Sequence, residues 1–302
     1  MTKLAVALER QELNMRVLFP TKAIAALEDY VITPHIGLHP TLGVVIKPED
    51  EDKDEGNHIY LRSIQKKAAK YGAKVEVIEA STYTEAASAI QTFRHNYRIN
   101  GIIILAHYGK EVDNALANMI PTRLDLDCVS AATYGILFTS SSPVAYRYGP
   151  CAPVAVMKLL EYEGLSELAG LRIAIIGRSL RVGRPLAEIL TQHNATVTCF
   201  HSNSIYDFEK DFANFDIIIS AVGKPKIWTN KGNFSSSQYL IDVGVNVDEE
   251  GRVCGDFDYG SFAELDVNIT PVPGGIGQLA TVVLFSKLYT GAAHAKGELT
   301  DV

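Results

Sequence analysis

The chain has 302 residues, 47% of them hydrophobic and 21% charged, which is enough for two cores of ordinary domain size. A net charge of −7 without a basic stripe argues against nucleic acid and anionic membrane as partners and for a small molecule. The opening MTKLAVALERQEL has no basic stretch followed by a long apolar run, and no window approaches about 18 uninterrupted apolar residues, so the expected location is cytoplasmic.

Short β-rich runs then alternate with amphipathic stretches: LGVVIK (42–47), IYLRSIQKKAAKYG (59–72), KVEVIEA (74–80), EAASAIQTFRHNY (85–97) and GIIILAHY (101–108). That order, βαβαβ, predicts a parallel sheet covered by helices. The charge run EDEDKDEGN (49–57) inside it reads as a solvated loop. A second series follows in APVAVMKLLEYEG (152–164), RIAIIG (172–177), RPLAEILTQHN (184–194), TVTCFH (196–201), DIIISAVG (216–223), YLIDVG (239–244) and DVNITPVPGG (266–275). Its strands are nearly continuous apolar runs, the pattern of a sheet covered on both faces. The last stretch, QLATVVLFSKLYTGAAHAKG (278–297), is apolar enough to pack as a buried helix. Cys128, Cys151, Cys199 and Cys254 lie singly among apolar neighbours and read as reduced, mostly buried thiols, with no metal-ligand spacing. The expected fold is therefore α/β with two domains, each a mainly parallel sheet with flanking helices, the C-terminal one Rossmann-type.

Strand RIAIIG runs directly into Arg178-Ser179-Leu180-Arg181-Val182-Gly183-Arg184-Pro185, which sets Gly177 and Gly183 at a tight strand-to-helix turn. Such a turn aims backbone N–H groups and a helix N-terminus at an anion. The string is not GxGxxG, and a plain βα turn opened by a proline explains it equally well on its own. Position favours a dinucleotide, because the next strand ends where Rossmann-type folds select the adenosine ribose. An acidic residue there binds a free 2′-hydroxyl, whereas this strand ends in His201-Ser202 with Arg178 across the turn. Neutral donors and an arginine suit a 2′-phosphate, so NADP is expected ahead of NAD, with NAD left open.

Three strings, GRSLRVGRP, Pro150-Cys151-Ala152-Pro153 and Pro271-Val272-Pro273-Gly274-Gly275-Ile276-Gly277, together with Gly255-Asp256-Phe257-Asp258, resemble the methylenetetrahydrofolate dehydrogenase/methenyltetrahydrofolate cyclohydrolase family over nearly the whole chain. The resemblance implies a folate-binding domain of residues 1–148 completed by the C-terminal helix (278–302), an NAD(P)-binding domain of residues 149–277, a cleft between them and a homodimer. It implies cofactor contacts from Gly177, Arg178, Ser179, Val182, Gly183, His201, Ser202, Gly223, Gly244 and Thr281. On the substrate side it implies Tyr60, Asp127, Pro273, Gly274 and Gly275, which would hold a tetrahydrofolate derivative. No metal is implied.

The folate side departs from the family pattern. Tyr60 matches the tyrosine that stacks on the folate, twelve residues before Gly72, against the alternative that it is a half-buried helix residue. One helical turn later, where the family carries its catalytic lysine, stands Ile64. Lys66 matches a surface lysine, and Lys67 would face the cleft only if the helix were rotated. In NGIIILAHYG (100–109) the position of the glutamine that orients the lysine is Leu105. Leu124-Asp125-Leu126-Asp127-Cys128 resembles KDVDG and puts Asp127 where the pterin-binding aspartate belongs, against the alternative that it is a turn or cap residue. His107 and Tyr108, just past the strand, either line the cleft or shape its loop, and His58 lies beside Tyr60 near the charged loop.

Hydride leaves the one-carbon bridge without any proton transfer, so positioning suffices for the oxidation. Hydrolysis of the methenyl product needs an activated water and a protonated leaving nitrogen, which a tuned lysine provides. The expectation is a dehydrogenase with little cyclohydrolase activity. The alternative is a non-catalytic or altered-substrate paralogue that binds a nicotinamide dinucleotide and a pterin.

Overall fold

The computed structural model describes residues 15–50, 55–140, 145–205, 207–231, 234 and 236–297. The N-terminal thirteen residues read above for a leader, and residues 51–54 of the charged run, lie outside the described residues. The chain opens with β1 (Arg16–Val17) and α1 (Thr21–Leu27) and continues through β2 (Thr41–Ile46), α2 (Glu55–Tyr71), β3 (Lys74–Glu79), α3 (Tyr83–His95) and β4 (Ile99–Ile104). Strands β2 to β4 form a parallel three-stranded sheet in the order β3-β2-β4. The central strand, β2, is buried at every position, while β3 at the edge alternates between half-buried and exposed residues. The turn before α3 is set by a capping box, in which Thr82 accepts from Glu85 N–H and the Glu85 carboxylate accepts from Thr82 N–H.

Then come α4 (Lys110–Ala117), α5 (Ala131–Thr139), α6 (Cys151–Tyr162), β5 (Arg172–Ile176), α7 (Gly183–Gln192), β6 (Thr196–Phe200), β7 (Ile217–Ser220) and β8 (Gln238–Asp242). An antiparallel hairpin of β9 (Asn246–Val247) and β10 (Val253–Cys254) precedes β11 (Val267–Ile269) and the long α8 (Ile276–Ala295). The larger sheet is parallel throughout, in the order β1-β11-β8-β7-β5-β6. Its inner strands β5, β7 and β8 are the apolar runs of the sequence, buried because helices or loops cover both faces.

Three features depart from the sequence reading. β1 pairs with β11, Arg16 opposite Asn268, so residues 16 and 17 cover an edge of the larger sheet and do not stay with residues 41–104. The stretch 266–275 is a strand only over Val267–Ile269, because Pro271 and Pro273 donate no N–H to a ladder; the Val272–Pro273 peptide is cis. Helix α2 begins at Glu55, inside the run read as a solvated loop.

Helix α8 is apolar all round and buried along nearly its whole length, because it packs against α6, α1 and α2. Each of its fully buried large side chains, such as Leu279, Val283, Phe285 and Leu288, contributes roughly 1.5–3 kcal/mol. The helix thereby closes one core shared by residues of both sheets.

Candidate functional site

A cavity of about 360 Å³ opens where the first turns of α2, the loop before α6, the β5–α7 turn and the PVPGG loop meet. Tyr60, Ser63, Asp127, Cys151, Arg181, Val182, Gly244 and Pro273 to Gly275 are among its walls. Seven of the residues anticipated from sequence are thus brought together, from segments distant in the chain: Tyr60, Asp127, Val182, Gly244, Pro273, Gly274 and Gly275. Gly56 and Asn57 also line it, which corrects the reading of the charged run as solvated loop alone.

Tyr60 projects from the second turn of α2, with part of its ring packed on the shared core. Burial pushes its hydroxyl well above the ordinary tyrosine range, the Asp127 carboxylate adds to that, and Arg181 and the Thr281 hydroxyl oppose it. The phenol therefore stays protonated at neutral pH.

The loop carrying Asp127 is organised by its neighbour. Asp125 is buried and accepts from Val129 N–H at 3.1 Å, Ser130 N–H at 2.9 Å and the Thr133 hydroxyl at 2.8 Å. With the turn-forming role taken by Asp125, Asp127 is left to face the cavity. Its Oδ1 accepts from Cys151 N–H at 3.4 Å, and Arg181 Nη1 lies 3.5 Å from its Oδ2. Burial raises the Asp127 pKa above the usual carboxylate value, while the Arg181 and Lys287 cations hold it back.

Ile64 and Leu105 are 0% and 3% exposed and belong to the apolar core behind Tyr60; neither is among the residues lining the cavity. Lys67 points elsewhere, its ammonium 3.4 Å from the Tyr71 hydroxyl and 3.9 Å from Glu28. His107 pairs with Asp113 at 3.3 Å and the Tyr108 hydroxyl donates to Ala80 O at 2.6 Å, so both shape the loop after β4. His58 is buried, with Nε2 3.1 Å from Lys47 O.

The β5–α7 turn is tight because two glycines let backbone meet backbone. A Cβ on Gly183 would lie 2.2 Å from Gly177 O, and Gly177, at φ +127°, would place one 2.5 Å from Ala221 O. Ser179 accepts from Val182 N–H at 3.1 Å and so fixes the entry to α7. On the outer side of the turn a second cavity, of about 530 Å³, is bounded by Arg178, Gly183, Arg184, Cys199 and His201, among others. Two guanidinium groups and a ring nitrogen beside a helix N-terminus are a donor set suited to a phosphate. Ser202 is exposed, its hydroxyl 3.3 Å from Asn203 Oδ1. Gly223 and Gly244 lie against Asp256, which accepts from the N–H groups of Val222, Gly223 and Lys224 and from the Ser220 hydroxyl, tying together the ends of β7 and β8. Thr281 is buried, donates to Gly277 O at 3.0 Å and stands 3.5 Å from the Ser63 hydroxyl.

Sequence reasoning missed Arg181, Asp242, Ser63 and Asn57 as cavity residues. Arg181 lies inside the motif that was read, but its direction depends on how the two sheets sit together, which no local pattern encodes. Among the described residues no group of three or more His, Cys, Asp or Glu is placed to hold a metal ion, and no helix is long and apolar enough to cross a membrane.

Residues 150–296 match the family model described as the tetrahydrofolate dehydrogenase/cyclohydrolase, NAD(P)-binding domain. The bifunctional protein FolD of Clostridium botulinum is 32% identical over 287 residues, which cover 94% of each chain. The crystal structure of the bifunctional enzyme FolD, methylenetetrahydrofolate dehydrogenase/cyclohydrolase, from Campylobacter jejuni superposes with a TM-score of 0.79 at 25% identity, covering 94% of this chain and all of that one. The Trypanosoma brucei methylenetetrahydrofolate dehydrogenase-cyclohydrolase, solved with NADP and an inhibitor, shares the fold with a TM-score of 0.79 at 24% identity, over 93% of this chain and 98% of its own. Identity at this level along almost the whole length, with the cavity built from the segments described, means that the chain belongs to the tetrahydrofolate dehydrogenase/cyclohydrolase family and that its C-terminal half is an NAD(P)-binding domain.

Proposed function

We propose that the chain oxidises 5,10-methylenetetrahydrofolate to 5,10-methenyltetrahydrofolate, with NADP preferred to NAD, and that it is a weak cyclohydrolase or none. The observation that carries this reading is a division of the site. Tyr60, Asp127 and the Pro273 to Gly275 backbone line the cavity, whereas Ile64 and Leu105 are sealed in the core behind it.

In this reading Tyr60 stacks on the pterin and Asp127 accepts hydrogen bonds from its polar edge. The turn from Gly177 to Gly183, with Val182 and Gly244 on the cavity side, would hold the dinucleotide. Arg178 and His201 on the outer side, with Ser202 beside them, would receive a 2′-phosphate. When bound, NADP supplies the hydride acceptor. Lone pairs on the two folate nitrogens stabilise the cation that the lost hydride leaves, so the chain's residues need only hold the methylene carbon in place and exclude water. Hydrolysis is another matter, since a water must lose a proton and a nitrogen must gain one. The two positions that resemble the family's lysine and glutamine offer no titratable group for either. A homodimer is part of the reading and is checked by sedimentation.

The test is a paired assay on purified protein. One arm follows reduction of NADP and of NAD with methylenetetrahydrofolate, and the other follows the decay of methenyltetrahydrofolate against the uncatalysed rate. Reduction with decay at background is the expected result. Decay well above background would overturn the monofunctional reading, and no reduction with either dinucleotide would overturn the dehydrogenase itself.

A further inference from the structure

We propose that Arg181 is a positioning residue that ties the dinucleotide turn to the folate side of the cleft, so that occupancy of one half is felt in the other. The inference rests on the dehydrogenase reading and adds to it a route of coupling between the two ligands.

Arg181 leaves the β5–α7 turn, which belongs to the larger sheet, and reaches the smaller sheet's end of the cavity. Its Nη2 donates to Ile104 O at 2.9 Å, and its Nη1 stands 3.5 Å from Asp127 Oδ2. Ile104 is the last residue of β4, so that carbonyl lies at the carboxyl end of the three-stranded sheet. Asp127 in turn accepts from Cys151 N–H at the start of α6. One planar fork thus joins the turn, the end of β4 and the loop before α6. Among the described residues lining the cavity, Arg181 is the one cation, and its side chain is 34% exposed, open to the cavity but fixed at its tip.

The consequence follows from where the two ligands would sit. A dinucleotide presses on Val182 and Gly183, the residues next to Arg181, and a pterin presses on Asp127, which Arg181 faces. A ligand that settles the turn settles the guanidinium, and the guanidinium holds the Asp127 carboxylate in its direction toward the cavity. Whichever ligand arrives first meets part of the ordering cost of the second, which is positive and reciprocal coupling.

The experiment is calorimetric titration of NADP and of tetrahydrofolate, each alone and each with the other saturating, for the wild type, Arg181→Met and Arg181→Lys. The wild type is expected to bind NADP about fivefold tighter or more when tetrahydrofolate is present, with the same factor in the reverse order. Arg181→Met should bring that factor to about one, whatever its effect on NADP affinity for the free protein, because the factor compares the same variant with and without tetrahydrofolate. Arg181→Lys, which has a single ammonium for two acceptors, should keep part of the coupling, and it serves as the readout if the methionine variant fails to fold. A wild-type factor of one, or an unchanged factor in both variants, overturns the proposal. The two readings fail separately. Coupled binding without NADP reduction removes only the proposed activity, and turnover with coupling indifferent to Arg181 removes only the bridge. No binding of tetrahydrofolate by the wild type removes both.

Discussion

Asp242 offers a test of how burial sets the acid–base behaviour of this cleft. It ends β8, is 2% exposed and lines the cavity. Its Oδ1 accepts from Gly244 N–H at 2.9 Å and its Oδ2 from Phe257 N–H at 2.9 Å, and a Cβ on Gly255 would stand 2.0 Å from Oδ2, so a glycine is what leaves it room. Burial pushes its pKa up to about 7, against the relief given by those N–H donors and helped by the neighbouring Asp256 carboxylate. The folded chain therefore holds a proton between about pH 4 and pH 7 that the unfolded chain has already released. Stability is greatest below the unfolded value, falls as pH rises through that window, and is flat above it. A difference of about three pH units corresponds to roughly 4 kcal/mol, of which about 2–3 kcal/mol is lost between pH 5 and pH 7.5. Asp242→Asn removes the titration at the cost of one backbone hydrogen bond, a loss that does not vary with pH. Urea unfolding of both proteins from pH 5 to pH 8 should show the wild type's advantage over the variant shrinking by about 2–3 kcal/mol across that range. A difference that stays constant with pH would refute the reasoning.

Other substitutions test the turn, the sealed positions and the cofactor preference. Gly183→Ala drives a methyl group into Gly177 O, so the turn must open; a stability loss of about 1–3 kcal/mol and at least about tenfold weaker dinucleotide binding are expected from melting curves and calorimetry. Leu105→Gln buries an amide in apolar core without its lysine partner, and should cost roughly 2 kcal/mol or more while leaving methenyltetrahydrofolate decay at background. Arg178→Ala removes a guanidinium from the outer cavity and should raise KM for NADP about tenfold or more with KM for NAD little changed; equal effects on both would remove Arg178 from 2′-phosphate recognition.

The parts of the fold that were legible in the sequence are those set by local period and turn chemistry. The apolar runs of β5, β7 and β8 announce a sheet covered on both faces, and the RIAIIG-to-RPLAEI junction announces a strand, a tight turn and a helix. What was not legible depends on long-range placement. β1 is only two residues long, and its pairing with β11 some 250 residues away has no local signature. The same holds for Arg181, whose two partners lie on the other sheet's side of the cavity. Asp127 is an intermediate case. Its register could be counted from the motif, but that Asp125 two residues earlier takes the turn-forming hydrogen bonds and leaves Asp127 to the cavity emerges only in three dimensions.

The pairing of Ile64 with Leu105 has a physical logic that bears on the function. Both side chains lie in one apolar cluster with almost no exposure, so whatever occupies these positions is judged by its neighbours and not by water. A lysine at position 64 would need a polar partner in that setting, and a glutamine at position 105 without the lysine would be a buried amide lacking one. Either single polar residue is costly, whereas two aliphatic residues suit the apolar core they lie in. Under the proposed reading, replacement of one member therefore favours replacement of the other. Two of the polar groups on the cavity wall, Asp127 and Arg181, face each other at 3.5 Å and do not depend on that pair. Under the proposed reading such a site lacks the lysine and glutamine roles together and keeps Tyr60 and Asp127 on the cavity wall, the combination that a hydride transfer needs and a hydrolysis does not.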